Sequence, residues 1–355
     1  MKTAFAALAS AILSASFARG INYDVASCAD LASVDDTAVT SLTITSSPIV
    51  CEEYTRFRVR NSMTLSATVD EVEFDNVAMK VLGSLAVEPD VIFKGVDSQI
   101  RNGGALYVQE GAEATFMGTA TYIGNSIFSE EFELPSGAFT STVKKGGAIH
   151  NKGSLVFQDD ATFTQNEGLS SDSVTRSRGG AISNTAKGII TFQGKLTMTM
   201  NDCRGSFEGQ GGGIYNRGHI TVEGESSFID NSAASGGAIY MEPPGTMTFN
   251  SFASFDDNLA RDSTGGAIRN VGELNLLGGS LFLSNYASSS GDGGLGGGIY
   301  NSQEGAVTFE GDTTFDNNMA LLGGAIYNGA SASLTAPQDG GEFIFQNLAG
   351  DVSLP

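Results

Sequence analysis

A tetrapeptide that keeps returning constrains this chain more than any other feature. Gly-Gly-Ala/Gly-Ile/Leu begins at residues 103, 146, 179, 211, 236, 265, 296 and 323, in steps of 43, 33, 32, 25, 29, 31 and 27 residues. Most copies run on to x-Asn, as in Ile149-His150-Asn151 and Ile326-Tyr327-Asn328. A second landmark, an aromatic residue with Asn three places later, has its aromatic slot 17 to 21 residues after each start. It reads Tyr122-x-x-Asn125, Phe163-x-x-Asn166, Phe228-x-x-Asn231, Phe255-x-x-Asn258, Phe282-x-x-Asn285 and Phe315-x-x-Asn318. The copy ending at Asn201 has Met198 in the aromatic slot, and the last, ending at Asn347, has Ile344. Self-similarity at this period is the mark of a solenoid, in which each repeat buries its apolar face only against its neighbours.

Between the landmarks lie runs such as Ser154-Leu155-Val156-Phe157 and Ala306-Val307-Thr308-Phe309. They are short, alternate in polarity, and are bounded by Gly, Asp or Asn, which describes strands. A helical solenoid would need two longer helices per repeat, and the chain's 46 glycines would be costly in them. Three short strands joined by turns fit the repeat length. The predicted fold is all-β: a right-handed, single-stranded parallel β-helix of the pectate-lyase type. About eight clear coils span residues 101–355. Residues 19–100 form an N-terminal cap with irregular coils, and Phe74-Asp75-Asn76 is a degenerate finish.

Side chains alternate along a strand. If Ile149 points inward, Gly147 and Asn151 do too, while Ala148 and His150 point outward. Inward Asn residues of successive coils then form amide ladders. One would contain Asn151, Asn184, Asn216, Asn270, Asn301 and Asn328, interrupted by Met241. The finishes would form another, with Asn166, Asn231, Asn258, Asn285 and Asn318.

The net charge of −21 argues against a nucleic-acid or anionic-membrane partner. It is unevenly spread: after Arg217 only Arg261 and Arg269 are basic, against sixteen Asp and Glu. Residues 1–18 read as a secretory signal, with Lys2, an apolar Ala4–Ile12 stretch and Ser16-Phe17-Ala18 as a cleavage site. No later apolar run is long enough to span a bilayer as a helix. The expected location is secreted, extracellular or cell-surface, where disulfides form. Cys28 and Cys51 are expected to pair, leaving Cys203 as a buried small residue.

These landmarks resemble the repeats of the polymorphic outer-membrane proteins of chlamydiae, a family marked by tandem GGA[ILV] and FxxN. Copies at Gly103, Gly146, Gly179, Gly236, Gly265 and Gly323 match GGA[IL] outright, whereas Gly211 and Gly296 begin GGGI. The resemblance covers roughly residues 100–350. It implies a surface-exposed β-helical passenger with a link to adhesion. The family's passenger is followed by an outer-membrane β-barrel, and no such segment is read in this sequence.

The expected function is therefore structural or adhesive, with one long face presented to glycans or proteins. The outward slot of the start strand carries Tyr215, Tyr240, Tyr300 and Tyr327, candidates for a ring platform that binds sugars or a partner. The alternative is a lyase, hydrolase or epimerase acting on acidic polysaccharide. It would use the inserts Ser126–Lys145, Glu167–Arg178 and Asp202–Gln210, which wall one side of successive coils. Its candidate catalytic residues are Lys145, Arg176, Arg178, Glu131 and Asp202, because such chemistry needs carboxylates and a base around one sugar. Asp230 and Asp257 recur at equivalent places and are the candidate calcium ligands, although no resident cofactor is expected. His150 and His219 lack metal-ligand spacing and are expected to be exposed strand residues.

Overall fold

The structure, a computed structural model, describes residues 21–34, 39–98, 103–127, 143–170, 176–205, 209–262, 264–288, 294–337, 341–346 and 352–353. The signal-like segment 1–18, Glu131 and Asn347 lie outside these residues.

The chain is a parallel β-helix. Every strand pairing between its coils is parallel and joins equivalent positions of successive repeats. One face is a 12-stranded sheet running from Ile21–Val25 to Ser333–Thr335, and it includes Ser154–Phe157 and Ala306–Phe309. A second face is built from the finish strands, such as Ala161–Thr164 and Ala253–Asp256. The start strands form the third, such as Ile149–Asn151 and Ile182–Asn184. Near the N-terminus the second and third faces are one: Ile49–Val59, with a register shift between Val50 and Thr55, and Glu71–Val81 each continue through both as a single strand. Further along, the chain leaves the helix between finish and start. It forms a lateral lobe with its own short parallel strands, among them Glu167–Ser170, Asp202–Gly205, Lys144–Lys145 and Ser177–Arg178. The inserts are thus anchored by ladder pairing at both ends.

Two stacks of rings fill the core. Phe74, Phe93, Tyr122 and Phe163 lie one above another with centroids 4.9 to 5.2 Å apart. After Met198 the stack resumes with Phe228, Phe255, Phe282, Phe315 and Phe345, at 4.7 to 5.5 Å. These spacings track the distance between paired strands. The second stack, Phe116–Phe157–Phe192, meets the first edge-on at 6.2 to 6.5 Å, the arrangement that ring quadrupoles favour. The last rung departs from the sequence expectation. Phe345, not Ile344, pairs with Phe315, and Ile344 faces solvent. Strand register counts from the preceding strand, not back from Asn347.

The Asn residues form two ladders. In the finish ladder, Asn258 Nδ2 donates to Asn285 Oδ1 (2.9 Å) and to the Phe228 carbonyl (2.9 Å). Its Oδ1 accepts from the backbone N–H and Nδ2 of Asn231, both at 3.1 Å. The same pattern runs from Asn125 to Asn318 through Asn166, Asn201, Asn231 and Asn285. The start ladder joins Asn151, Asn184 and Asn216, stops at Met241, and resumes over Asn270, Asn301 and Asn328. These amides are buried with their donors and acceptors paired, which is the condition for polar groups in a core.

Strict alternation fails at the start motif. Ala148 is fully buried in the core, not outward. The N–H groups of Ala148 and Ile149 both donate to the Ala181 carbonyl, at 3.0 and 2.9 Å. Two consecutive residues therefore face the same way. The pattern repeats at Ala238 and Ile239 on Ala267. The third position must then be small: at Gly298 an added Cβ would sit 3.1 Å from the Phe315 ring.

At the N-terminal end, the helix Cys28–Ser33 packs on Ile49–Val59 with Leu31 buried. Its N-cap is Ser27, whose hydroxyl accepts from the Asp30 N–H, satisfying one of the donors a helix start leaves open. A disulfide joins Cys28 to Cys51, with Cα atoms 5.3 Å apart. No helix among the described residues is long and apolar enough to cross a membrane.

Candidate binding groove

The outward positions of the third face fall in one register column. Arg58 pairs with Lys80, Lys80 with Tyr107, and Tyr107 with His150; the column continues through Ser183, Tyr215, Tyr240, Arg269, Tyr300 and Tyr327. The Tyr row is interrupted by Arg269 and unevenly accessible. Tyr215 is 2% exposed and Tyr240 6%, whereas Tyr300 and Tyr327 are half-buried. Tyr215 stacks on Tyr240 at 5.7 Å, and Tyr300 on Tyr327 at 5.4 Å. Arg269 lies between the pairs, 5.1 Å from the Tyr240 ring and 5.5 Å from that of Tyr300. Cations cover the other rings too: Arg178 over Tyr215 at 4.7 Å, and Lys80 and Lys152 over Tyr107 at 5.2 and 5.7 Å. Cation–π attraction holds these charges in place.

The lobe makes this face concave. Lys145 and Arg178 occupy paired positions on neighbouring lobe strands. With Lys152, Ser183, Tyr215 and Arg217 they line a cavity of about 270 Å³. Lys187 closes one side through an ion pair with Glu110 at 2.5 Å. Arg178 and Arg217 share Glu242, at 3.9 and 3.4 Å, and Glu242 also accepts from the Tyr215 hydroxyl. Burial first, then Arg178, Lys152 and Arg217, hold the Lys145 ammonium below its ordinary pKa. Lys80 is lowered likewise, by burial and then by Arg56, Arg58, Arg60 and Lys152. Lys152 thus joins two groups of cations on one face of an acidic protein.

His150 lies beneath them. The expectation of an exposed strand residue is corrected: it is 0% exposed, with the Tyr107 ring 5.5 Å away and the Gly103 turn of the preceding coil packed against it. Neither ring nitrogen has a side-chain hydrogen-bond partner among the described residues. Burial, then Lys145 and Lys152, push its pKa down to about 3 from 6.5, with the Ser183 backbone opposing. The unfolded chain takes up this proton below pH 6.5 and the folded chain does not. Stability is therefore lost as the pH falls from 6.5 towards 3. The loss at pH 5 is about 2 kcal/mol. Urea unfolding at pH 7.5 and 5 should show wild type losing about 2 kcal/mol more than His150→Phe. Equal losses would mean that the folded protein charges this imidazole.

The other sequence candidates are dispersed. Arg176 is exposed at the edge of the lobe. Asp202 is buried in the lobe, outside the cavity lining, where Arg261 forks onto it at 3.1 and 3.2 Å and Arg204 pairs with it. Asp230 and Asp257 sit exposed on adjacent coils, with Asp256 next to Asp257 and paired with Ile229. The Asp256 carboxyl is held above its usual range by burial and then by Asp257 and Asp230. Among the described residues no group of three or more His, Cys, Asp or Glu could hold a metal. Cys203 is buried, and burial pushes its thiol up to about 12. His219 is exposed, with Nδ1 2.6 Å from the Thr246 hydroxyl. Sequence reasoning missed Lys152, Arg217 and Lys80; the signal available was that each lies in or next to an outward slot of the start strand or its N-terminal counterpart.

The model of the Chlamydia polymorphic membrane protein repeat matches residues 225–242 and 312–329. These two stretches are repeats of the polymorphic membrane protein type. Each match runs from a finish through the next start, across the lobe. From aromatic slot to start Ile, Phe228–Ile239 and Phe315–Ile326 are 11 residues apart, and every other copy is longer. The polymorphic membrane protein repeats that match are thus the ones with the smallest lobe. A relative, the probable outer membrane protein pmp7 of Chlamydia pneumoniae, is 31% identical over 223 residues. That alignment takes in 57% of this chain and 22% of the relative, so the chain spans about a fifth of its length. No solved structure matches the chain.

Proposed function

We propose that this chain is a secreted or cell-surface adhesive β-helix that presents its third face to glycans or proteins. The observation carrying this reading is the unbroken outward column from Arg58 to Tyr327, which passes a groove between lobe and helix lined by Lys145, Lys152, Arg178 and Arg217. A rigid solenoid suits the task, because stacking brings residues from many repeats into one extended surface. The similarity to an outer membrane protein of Chlamydia pneumoniae supports a surface location, and the pattern of residues 1–18 supports export. The acidic remainder of the surface keeps such a solenoid soluble. The test is to probe immobilised glycans and matrix proteins with the folded chain while following the length of each polymer. Retention with polymers intact is expected. Shortened chains or new unsaturated ends would replace adhesion with the polysaccharide enzyme, and no retention on any surface would remove the adhesive reading.

A further inference from the structure

We propose that the groove is a binding site for an acidic polysaccharide, held by Lys145, Lys152, Arg178 and Arg217 with its chain running along the helix axis. This rests on the adhesive reading and names its ligand class.

Charge is the first argument. The chain carries −21 overall, yet these four cations, with Arg58 and Lys80 further along, gather on one face. Among the described residues no carboxylate lies within ion-pair distance of Lys145 or Lys152. Like charges brought this close and partly buried disfavour one another, and an anion would relieve that cost.

Spacing is the second. The cations stand in two columns along the axis: Lys145 and Arg178 pair on adjacent lobe strands, one ladder step of about 4.8 Å, and Lys152 and Arg217 follow start strands two rungs apart. From the rung of Arg58 to that of Arg217 there are five such steps, about 24 Å. A linear polymer with an anionic group on every residue or every second residue can answer a row of this kind; a single phosphate or a compact acidic loop would use one rung.

The rings decide between polyanions. Single-stranded nucleic acid is held largely by bases stacked on open aromatic faces. Here Tyr215 is buried under Arg178, and Tyr107 is covered by Lys80 and Lys152. The accessible groups are the cations, together with the Ser183 and Thr185 hydroxyls on the lining, and these suit carboxylates, sulfates and sugar hydroxyls.

The experiment measures binding of the whole chain to fluorescent polygalacturonate and heparin fragments, with dextran and single-stranded DNA as controls, at several salt concentrations. The expected result is binding of an acidic fragment that weakens with salt, no binding of dextran, and weaker binding of DNA. The double variant Lys145→Gln/Lys152→Gln should weaken binding about tenfold or more. Lys195→Gln, a single charge removed outside the groove, should stay within about twofold. Thermal unfolding of each variant establishes that it is folded. Equal binding of dextran, DNA as tight as the acidic fragments, or an unchanged double variant would each overturn the assignment. Adhesion to surfaces without preference for acidic fragments would leave the adhesive reading standing and remove only the groove's ligand. Acidic fragments bound in solution without any surface retention would do the reverse.

Discussion

Replacing Asn258 with Leu is expected to destabilise the solenoid by about 4 kcal/mol, although Leu matches it in size and adds apolar surface. Asn258 sits in the middle of the finish ladder with every polar atom engaged. Leu would leave the Asn231 backbone N–H and Nδ2 without their shared acceptor, and the Phe228 carbonyl without its donor. Each buried group so orphaned costs roughly 1–3 kcal/mol. Urea unfolding followed by circular dichroism would measure the loss, and a cost below about 1 kcal/mol would show that water or a neighbouring group replaces the amide.

The start ladder tolerates an interruption for a reason visible at Met241. In that ladder the Asn Oδ1 accepts from the N–H two residues on, as Asn151 does from Gly153, Asn216 from Gly218 and Asn270 from Gly272. Two residues after Met241 stands Pro243, which has no N–H to satisfy. Apolar Met and donor-free Pro go together in that coil. No equivalent relief exists in the finish ladder, where the donor is the backbone of another Asn.

Gly180→Ala is expected to be at least as damaging, on the order of 4 kcal/mol or more, for a single methyl group. An added Cβ would overlap the Gly212 carbonyl oxygen of the next coil and come within 2.6 Å of the Asp202 carbonyl oxygen of the lobe. Both obstacles are backbone, fixed by ladder pairing on either side, so neither can swing away. The preceding Gly179 has φ +74° and makes the turn; Gly180 instead lets lobe and helix touch backbone to backbone. Gly111→Ala separates these two requirements. Its φ is +79°, but nothing lies within 4 Å of the added Cβ, so only the conformational cost of roughly 1–2 kcal/mol applies. Chemical denaturation of the two variants should therefore differ by more than about 2 kcal/mol. Equal effects would mean that close approach at Gly180 is not what selects glycine there.

Much of this architecture was legible in the one-dimensional repeat. The start and finish motifs, the Phe stack, both Asn ladders and the break at Met241 follow from the sequence. In a parallel solenoid equivalent residues stack directly, so a period in the chain becomes a column in space. Tertiary structure alone decided what happens where that rule is suspended. Ala148 turned inward with Ile149 because two adjacent N–H groups share one carbonyl, a departure that alternation does not signal. His150 was buried by the preceding coil, whose Tyr107 ring and Gly103 turn pack against it. The groove draws Lys145 from a lobe strand, Lys152 from a turn, and Arg178 and Arg217 from later repeats. Which of these meet depends on how each insert returns to the helix. That path is set by backbone packing between lobe and helix, and it leaves no period in the sequence.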